Sequence, residues 1–103
     1  MSYNGGPMTE AMYYVLLSLI QPNHGYQIMQ AIEQVSNGRV KMGPGTLYGV
    51  LKRMLAEELI ELSLDDGRRK VYRITTEGRL ALVQEHERLK RMIDDSKILE
   101  LEV

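Results

Sequence analysis

The chain has 103 residues, the length of one domain, with 44% apolar and 26% charged residues, as in soluble globular proteins. No apolar run approaches the ~18 residues that a membrane helix needs, so no membrane partner is expected. The chain has no cysteine, which excludes disulfides, thiolate zinc sites and a cysteine nucleophile.

Neither histidine, His24 or His86, has a second imidazole at metal-ligand spacing, and no Gly-rich phosphate loop is present. No cofactor, no metal and no enzyme activity are expected. The net charge of −1 argues against a nucleic-acid partner, but its distribution argues for one. Residues 1–38 carry Glu10 and Glu33 and no Lys or Arg. Residues 39–73 hold eight basic and five acidic side chains, and residues 74–103 hold five basic and seven acidic. Positive charge gathers in the middle third, where a DNA-contacting surface could lie.

Met1–Pro7 lacks the basic and apolar segments of a signal peptide and reads as a short flexible arm over 1–7. Thr9 is the expected N-cap of a first helix over about 10–20, with Met12, Val15, Leu16, Leu19 and Ile20 at helical spacing. Pro22 ends it. A second helix over about 25–36 carries Tyr26, Ile28, Met29, Ile32 and Val35, and Asn37-Gly38 stops it, since both residues tolerate a left-handed backbone.

A third helix starts at Gly43-Pro44-Gly45, because proline suits a first helical turn, and runs to about Glu57. Ile60–Leu64 alternates as a half-buried strand, Asp65–Arg69 is a turn built on Asp-Gly, and Lys70–Ile74 returns as a second strand. Thr75 or Thr76 caps a last helix over about 76–98. The expected fold is mainly α with a small β-hairpin: a winged helix-turn-helix over 8–75, then a C-terminal dimerisation helix and tail over 76–103.

The third helix carries most of the functional information. At about 100° per residue, Leu47, Val50, Leu51, Met54 and Leu55 share one side. The other side holds Gly45, Gly49, Lys52 and Ala56, flanked by Thr46, Tyr48 and Arg53, with no acidic residue before Glu57. Two glycines weaken a helix by about 1 kcal/mol each relative to alanine, and close approach to another backbone offsets such a cost. A face for the DNA major groove wants this pattern: small residues, hydroxyl donors and cations. The bland alternative is a solvated basic face. The hairpin tip, Arg68-Arg69-Lys70, weighs against that alternative, since a basic wing beside a basic helix reaches phosphates or the minor groove.

His24-Gly25-Tyr26-Gln27-Ile28, Gly43-Pro44-Gly45-Thr46-Leu47-Tyr48 with Leu51-Lys52-Arg53, and Tyr72-Arg73-Ile74-Thr75 with Gly78 together resemble successive motifs of the PadR family of transcriptional regulators, over about residues 8–95. The shortness resembles the subgroup with a single C-terminal helix. The resemblance implies a repressor that dimerises through the C-terminal helix and often the first helix. It implies Thr46, Tyr48 and Lys52 at DNA and Arg68, Arg69 and Lys70 in the wing. It also implies release from DNA by a small aromatic or drug-like effector. Three positions depart from the family pattern. Gly49 stands where proline is common. Gly43 replaces a frequent serine, removing a side-chain cap. Glu58 stands where glycine usually ends the recognition helix, which predicts a less sharply defined end.

The last helix is too long and apolar for one small domain to cover, so a homodimer is expected, with Met12, Leu16, Leu82, Leu89, Met92 and Ile93 at its interface. The alternative is a helix that folds back on its own core. Such a dimer sets two recognition helices about 34 Å apart and predicts a pseudo-palindromic operator. Met8, Met12, Tyr13, His86 and Met92 are the candidate effector-site residues, although Met and aromatic stripes more often form core. The expected DNA-contacting set is Gly45, Thr46, Tyr48, Lys52, Arg53, Arg68, Arg69 and Lys70, in a cytoplasmic, nucleoid-associated protein. The competing reading is a winged-helix protein–protein interaction module that binds no DNA, which the near-neutral charge favours.

Overall fold

A computed structural model describes residues 6–101, so the expected arm over 1–7 lies outside them except for Gly6 and Pro7, as do the last two residues of the expected tail. Four α-helices and three short strands follow in the order α1 (Glu10–Ser18), β1 (Asn23–His24), α2 (Gly25–Val35), α3 (Pro44–Ala56), β2 (Ile60–Asp65), β3 (Lys70–Ile74) and α4 (Thr76–Asp95). A 3₁₀ segment, Ser96–Leu101, follows α4. Thr9 caps α1, its hydroxyl oxygen accepting the Met12 N–H at 3.1 Å. The chain then tightens through Leu19 and ends the helix before the residue expected.

α2 stops at Asn37 and Gly38, both at positive φ (54° and 79°). The Gly38 N–H donates to the Glu33 carbonyl and the Asn37 N–H to the Gln34 carbonyl, the paired bonds of a Schellman turn. α3 begins on Gly43 with no side-chain cap and with Pro44 in its first turn. Its end corrects the expectation from Glu58. The Leu59 N–H donates to Met54 O at 3.0 Å and the Glu58 N–H to Leu55 O at 3.1 Å, so the stop is sharp without glycine. Glu58 holds φ at 62°, a left-handed conformation that costs a residue with a Cβ about 1–2 kcal/mol. The Thr75 hydroxyl donates to the Glu58 carbonyl at 2.7 Å and so helps fix that conformation.

The sheet has the order β1–β3–β2, all antiparallel. β1 falls between the two helices expected from the sequence, where no strand is expected. It pairs Asn23 with Tyr72 and His24 with Val71, joining the start of α2 to the wing. Between β2 and β3 a bulge at Ser63 sets two residues of β2 against one of β3, which increases the twist of the hairpin. Arg73 and Glu61, facing each other across the strands, form an ion pair at 2.7 Å.

The core joins Met12, Val15, Leu16 and Leu19 of α1 and its end to Ile28 and Ile32 of α2, and to Leu47, Leu51 and Met54 of α3. Leu59, Ile60, Tyr72 and Ile74 close it from the wing, and Ala81 and Leu82 from α4. Burial at this level stabilises by about 1.5–3 kcal/mol per large side chain. It also corrects the expected dimer interface: Met12, Leu16 and Leu82 are spent inside the protomer and offer no surface to a second copy. The last helix is shorter than expected, ending at Asp95, with Ile98 in the 3₁₀ segment. Among the described residues no helix is long and apolar enough to cross a membrane.

Candidate nucleic-acid interface

The side of α3 turned away from the core is open. Thr46, Tyr48 and Lys52 are exposed, and Lys52 makes no ion pair among the described residues. A Cβ built on Gly45 or Gly49 meets no described atom within 4 Å. No described residue of the protomer therefore requires these two glycines. Arg53 is exposed but bridges to Glu57 one turn on, at 3.5 Å, so part of its charge is already answered.

The wing tip is ordered by its own acids. Asp66 accepts the backbone N–H groups of Arg69 at 2.8 Å and Arg68 at 3.0 Å, and Asp65 accepts that of Gly67 at 3.0 Å. Those two backbone bonds, Arg69 first, hold the Asp66 carboxyl below the usual carboxylate range. Gly67 supplies the positive φ (85°) that the turn needs. The Arg68, Arg69 and Lys70 side chains stay exposed, with no ion pair among the described residues.

A recess of about 140 Å³ brings helix and wing together. Tyr48 of α3, His24–Tyr26 at the start of α2, and Arg68, Arg69 and Lys70 line it, with Tyr72 beneath. Burial first, then the neighbouring Tyr48 and Asp65, raise the Tyr72 phenol above its usual range, so it remains a protonated donor. Hydroxyls, cations and the opening turn of a helix suit an anionic oxygen.

The residues expected to hold an effector differ in exposure. Met8 and Met12 are buried in the core and Tyr13 is half-buried. His86 is exposed beside Glu87, and Met92 is exposed with its sulfur against Arg88 Nη1 at 3.0 Å. An open groove of about 680 Å³ lies elsewhere, on α2 between Tyr26, Met29, Glu33 and Met42. Sequence reasoning missed Glu85, which is only 6% exposed. Arg88 grips both its oxygens, and the Met8 N–H approaches one at 3.4 Å. The Arg88 hydrogen bonds above all lower its pKa despite burial. Tyr13 is shifted upward, by burial and then by Glu85. The i, i+3 spacing of Glu85 and Arg88 was the available signal.

Residues 15–84 match the model of the Transcriptional regulator PadR-like family. The chain belongs to the PadR-like family of transcriptional regulators. This PadR-like chain is thus a regulator rather than an enzyme. It is 36% identical over 89 residues to protein X of Lysinibacillus sphaericus, covering 78% of this chain and 82% of that one. It is 40% identical over 84 residues to a 37.1 kDa protein of transposon TN4556 from Streptomyces fradiae. That match spans 81% of this chain but only 24% of the longer relative. Among solved structures, a PadR family regulator from Eggerthella lenta superposes with a TM-score of 0.68 at 26% identity, over 84% of this chain and 74% of that one.

Proposed function

We propose that this PadR-like regulator binds double-stranded DNA as a homodimer, with α3 in the major groove and the wing on the adjacent backbone. The observation that carries the reading is the continuity of two surfaces: the acid-free, glycine-bearing face of α3 runs through Tyr48 into the cations Arg68, Arg69 and Lys70, which make no ion pair among the described residues. Phosphate contacts from the wing fix orientation, and Thr46 and Lys52 read base edges. Repression is steric, by occupation of a pseudo-palindromic operator. The work is done in the cytoplasm, at the nucleoid.

The dimer surface is the apolar side of α4 beyond its fourth turn. Met92 and Ile93 are 52% and 64% exposed, and half-buried Leu89 continues the stripe. A small aromatic or drug-like effector then binds where two copies meet, beside the exposed His86 and Met92 and the Met8, Met12 and Tyr13 end of α1. A ligand that prefers a different spacing of the two subunits lowers DNA affinity by linkage.

The test is capture and sequencing of sheared genomic DNA by the purified protein at moderate salt. Enrichment of one inverted repeat is the expected result. Affinity for it should fall by about 0.9 log units per log unit of salt for each phosphate neutralised. No enrichment by a folded dimer overturns the reading in favour of a protein-interaction module. Replacing Arg68, Arg69 and Lys70 with alanine separates the two again: the dimer persists and DNA binding is lost only on the first reading.

A further inference from the structure

Gly25 opens α2, and the Tyr48 hydroxyl from α3 lies over it. A Cβ built on Gly25 stands 2.5 Å from that oxygen, far inside ordinary contact, but 3.6 Å from the ring carbon that bears it, which is ordinary contact. One oxygen atom is therefore the whole obstacle, and it sits at the free end of a side chain that is 50% exposed. A methyl group at position 25 displaces the phenol outward and leaves the backbone where it is.

The position of Gly25 relative to the wing is fixed. The two residues before it, Asn23 and His24, are paired with Tyr72 and Val71 of β3. The recess between them holds the Tyr48 ring and the side chains of Arg68, Arg69 and Lys70. Among the described residues no acidic side chain lines it. The resting place of the Tyr48 hydroxyl is thus referenced to the wing as well as to its own helix.

We infer that Gly25 is a positioning residue for DNA binding: its missing side chain lets the Tyr48 hydroxyl rest in the recess between α3 and the wing, where it donates to one backbone phosphate that Arg68, Arg69 and Lys70 neutralise. The inference rests on the DNA-binding reading above. A phosphodiester fits better than a base edge, because three cations and a hydroxyl donor face an anion well and discriminate poorly between bases.

The experiment is a double-mutant cycle of G25A, Y48F and the double variant, read as affinity for the captured duplex, with thermal midpoint and dimer state measured alongside. G25A should keep its thermal midpoint and its dimer and lose about tenfold or more in affinity, the scale of one hydrogen bond to a charged group. Y48F should lose a similar factor. The double variant should bind as Y48F does, since the atom that clashes with the new methyl is gone. G25A at full affinity overturns the inference, and so do losses that multiply in the double variant. If G25A does not fold, Y48F decides alone, and unchanged affinity there overturns it. A wild-type protein that captures no duplex removes the DNA reading and this inference together, whereas wild-type binding with an indifferent G25A removes only the inference.

Discussion

Over its first turns α4 presses Gly78, Ala81 and Leu82 into the core against Leu59 and Ile74, while beyond Leu89 its side chains Met92 and Ile93 face outward, as do Ile98 and Leu99 after its end. The apolar spacing is similar in both halves. Periodicity identifies an apolar face but does not say which molecule covers it. In the first half the side that carries Gly78, Ala81 and Leu82 is covered by its own protomer, while Leu80 and Val83 beside it stay exposed. The second half leaves an apolar stripe of the kind that marks an interaction surface.

The largest expected effect lies at the covered end. A Cβ on Gly78 stands 2.0 Å from the Leu59 carbonyl oxygen and 2.9 Å from Ile74 Cγ1. Backbone cannot swing aside as a phenol can, so G78A should cost about 3 kcal/mol and lower the thermal midpoint by roughly 10 °C or more. An unchanged midpoint in calorimetry breaks the comparison. At the open end, I93E should leave the circular dichroism and the protomer core intact, with a stability change within about 0.5 kcal/mol apart from the coupled assembly. It should give a monomer by light scattering and weaken DNA binding. A dimeric I93E protein places the interface elsewhere.

Glu85 marks the boundary between the halves, and its lowered pKa gives a sign. Its contribution is present above the ordinary carboxylate range and is lost as pH falls through the lower folded value. The thermal midpoint of the wild type should therefore decline below about pH 4.5. Asp66 contributes in the same direction from the wing. E85Q should be less stable at neutral pH and show a flatter acid limb; an identical acid limb removes Glu85 from this role. The open glycines of α3 are expected to change stability in the opposite direction. G49A should stabilise the protein by about 1 kcal/mol, because the new methyl meets no described atom, while weakening DNA binding. Destabilisation by G49A contradicts the open face.

The helix order, the Asp-Gly hairpin and the joining of α3 to the wing were legible because each has a local signature: caps, periodicity, a turn dipeptide. What was not legible is relational. A strand of two residues has no period, so β1 left no trace at Asn23-His24. Glu58 read as a weak stop because the hydroxyl that steadies it comes from Thr75, across the hairpin. Met12, Leu16 and Leu82 were apolar at the right spacing for a partner, and only the packing of α1 and α4 assigns them inward. Arg53 looked like a free cation until Glu57, one turn along, answered it. The Gly25–Tyr48 approach joins residues 23 positions apart, and nothing local announces it.

Thr75 caps α4 by accepting the Gly78 N–H, donates its hydroxyl hydrogen to Glu58 O, and its backbone N–H reaches Leu59 O at 3.0 Å. The last turn of α3 and the first turn of α4 therefore share one pivot. A helix of 20 residues is about 30 Å long, so a tilt of roughly 10° at the pivot carries its far end through about 5 Å. In the proposed dimer, with two copies clasped at their far ends, α4 would act as a lever, and a small rotation at Thr75 would reset the distance between the two α3 helices.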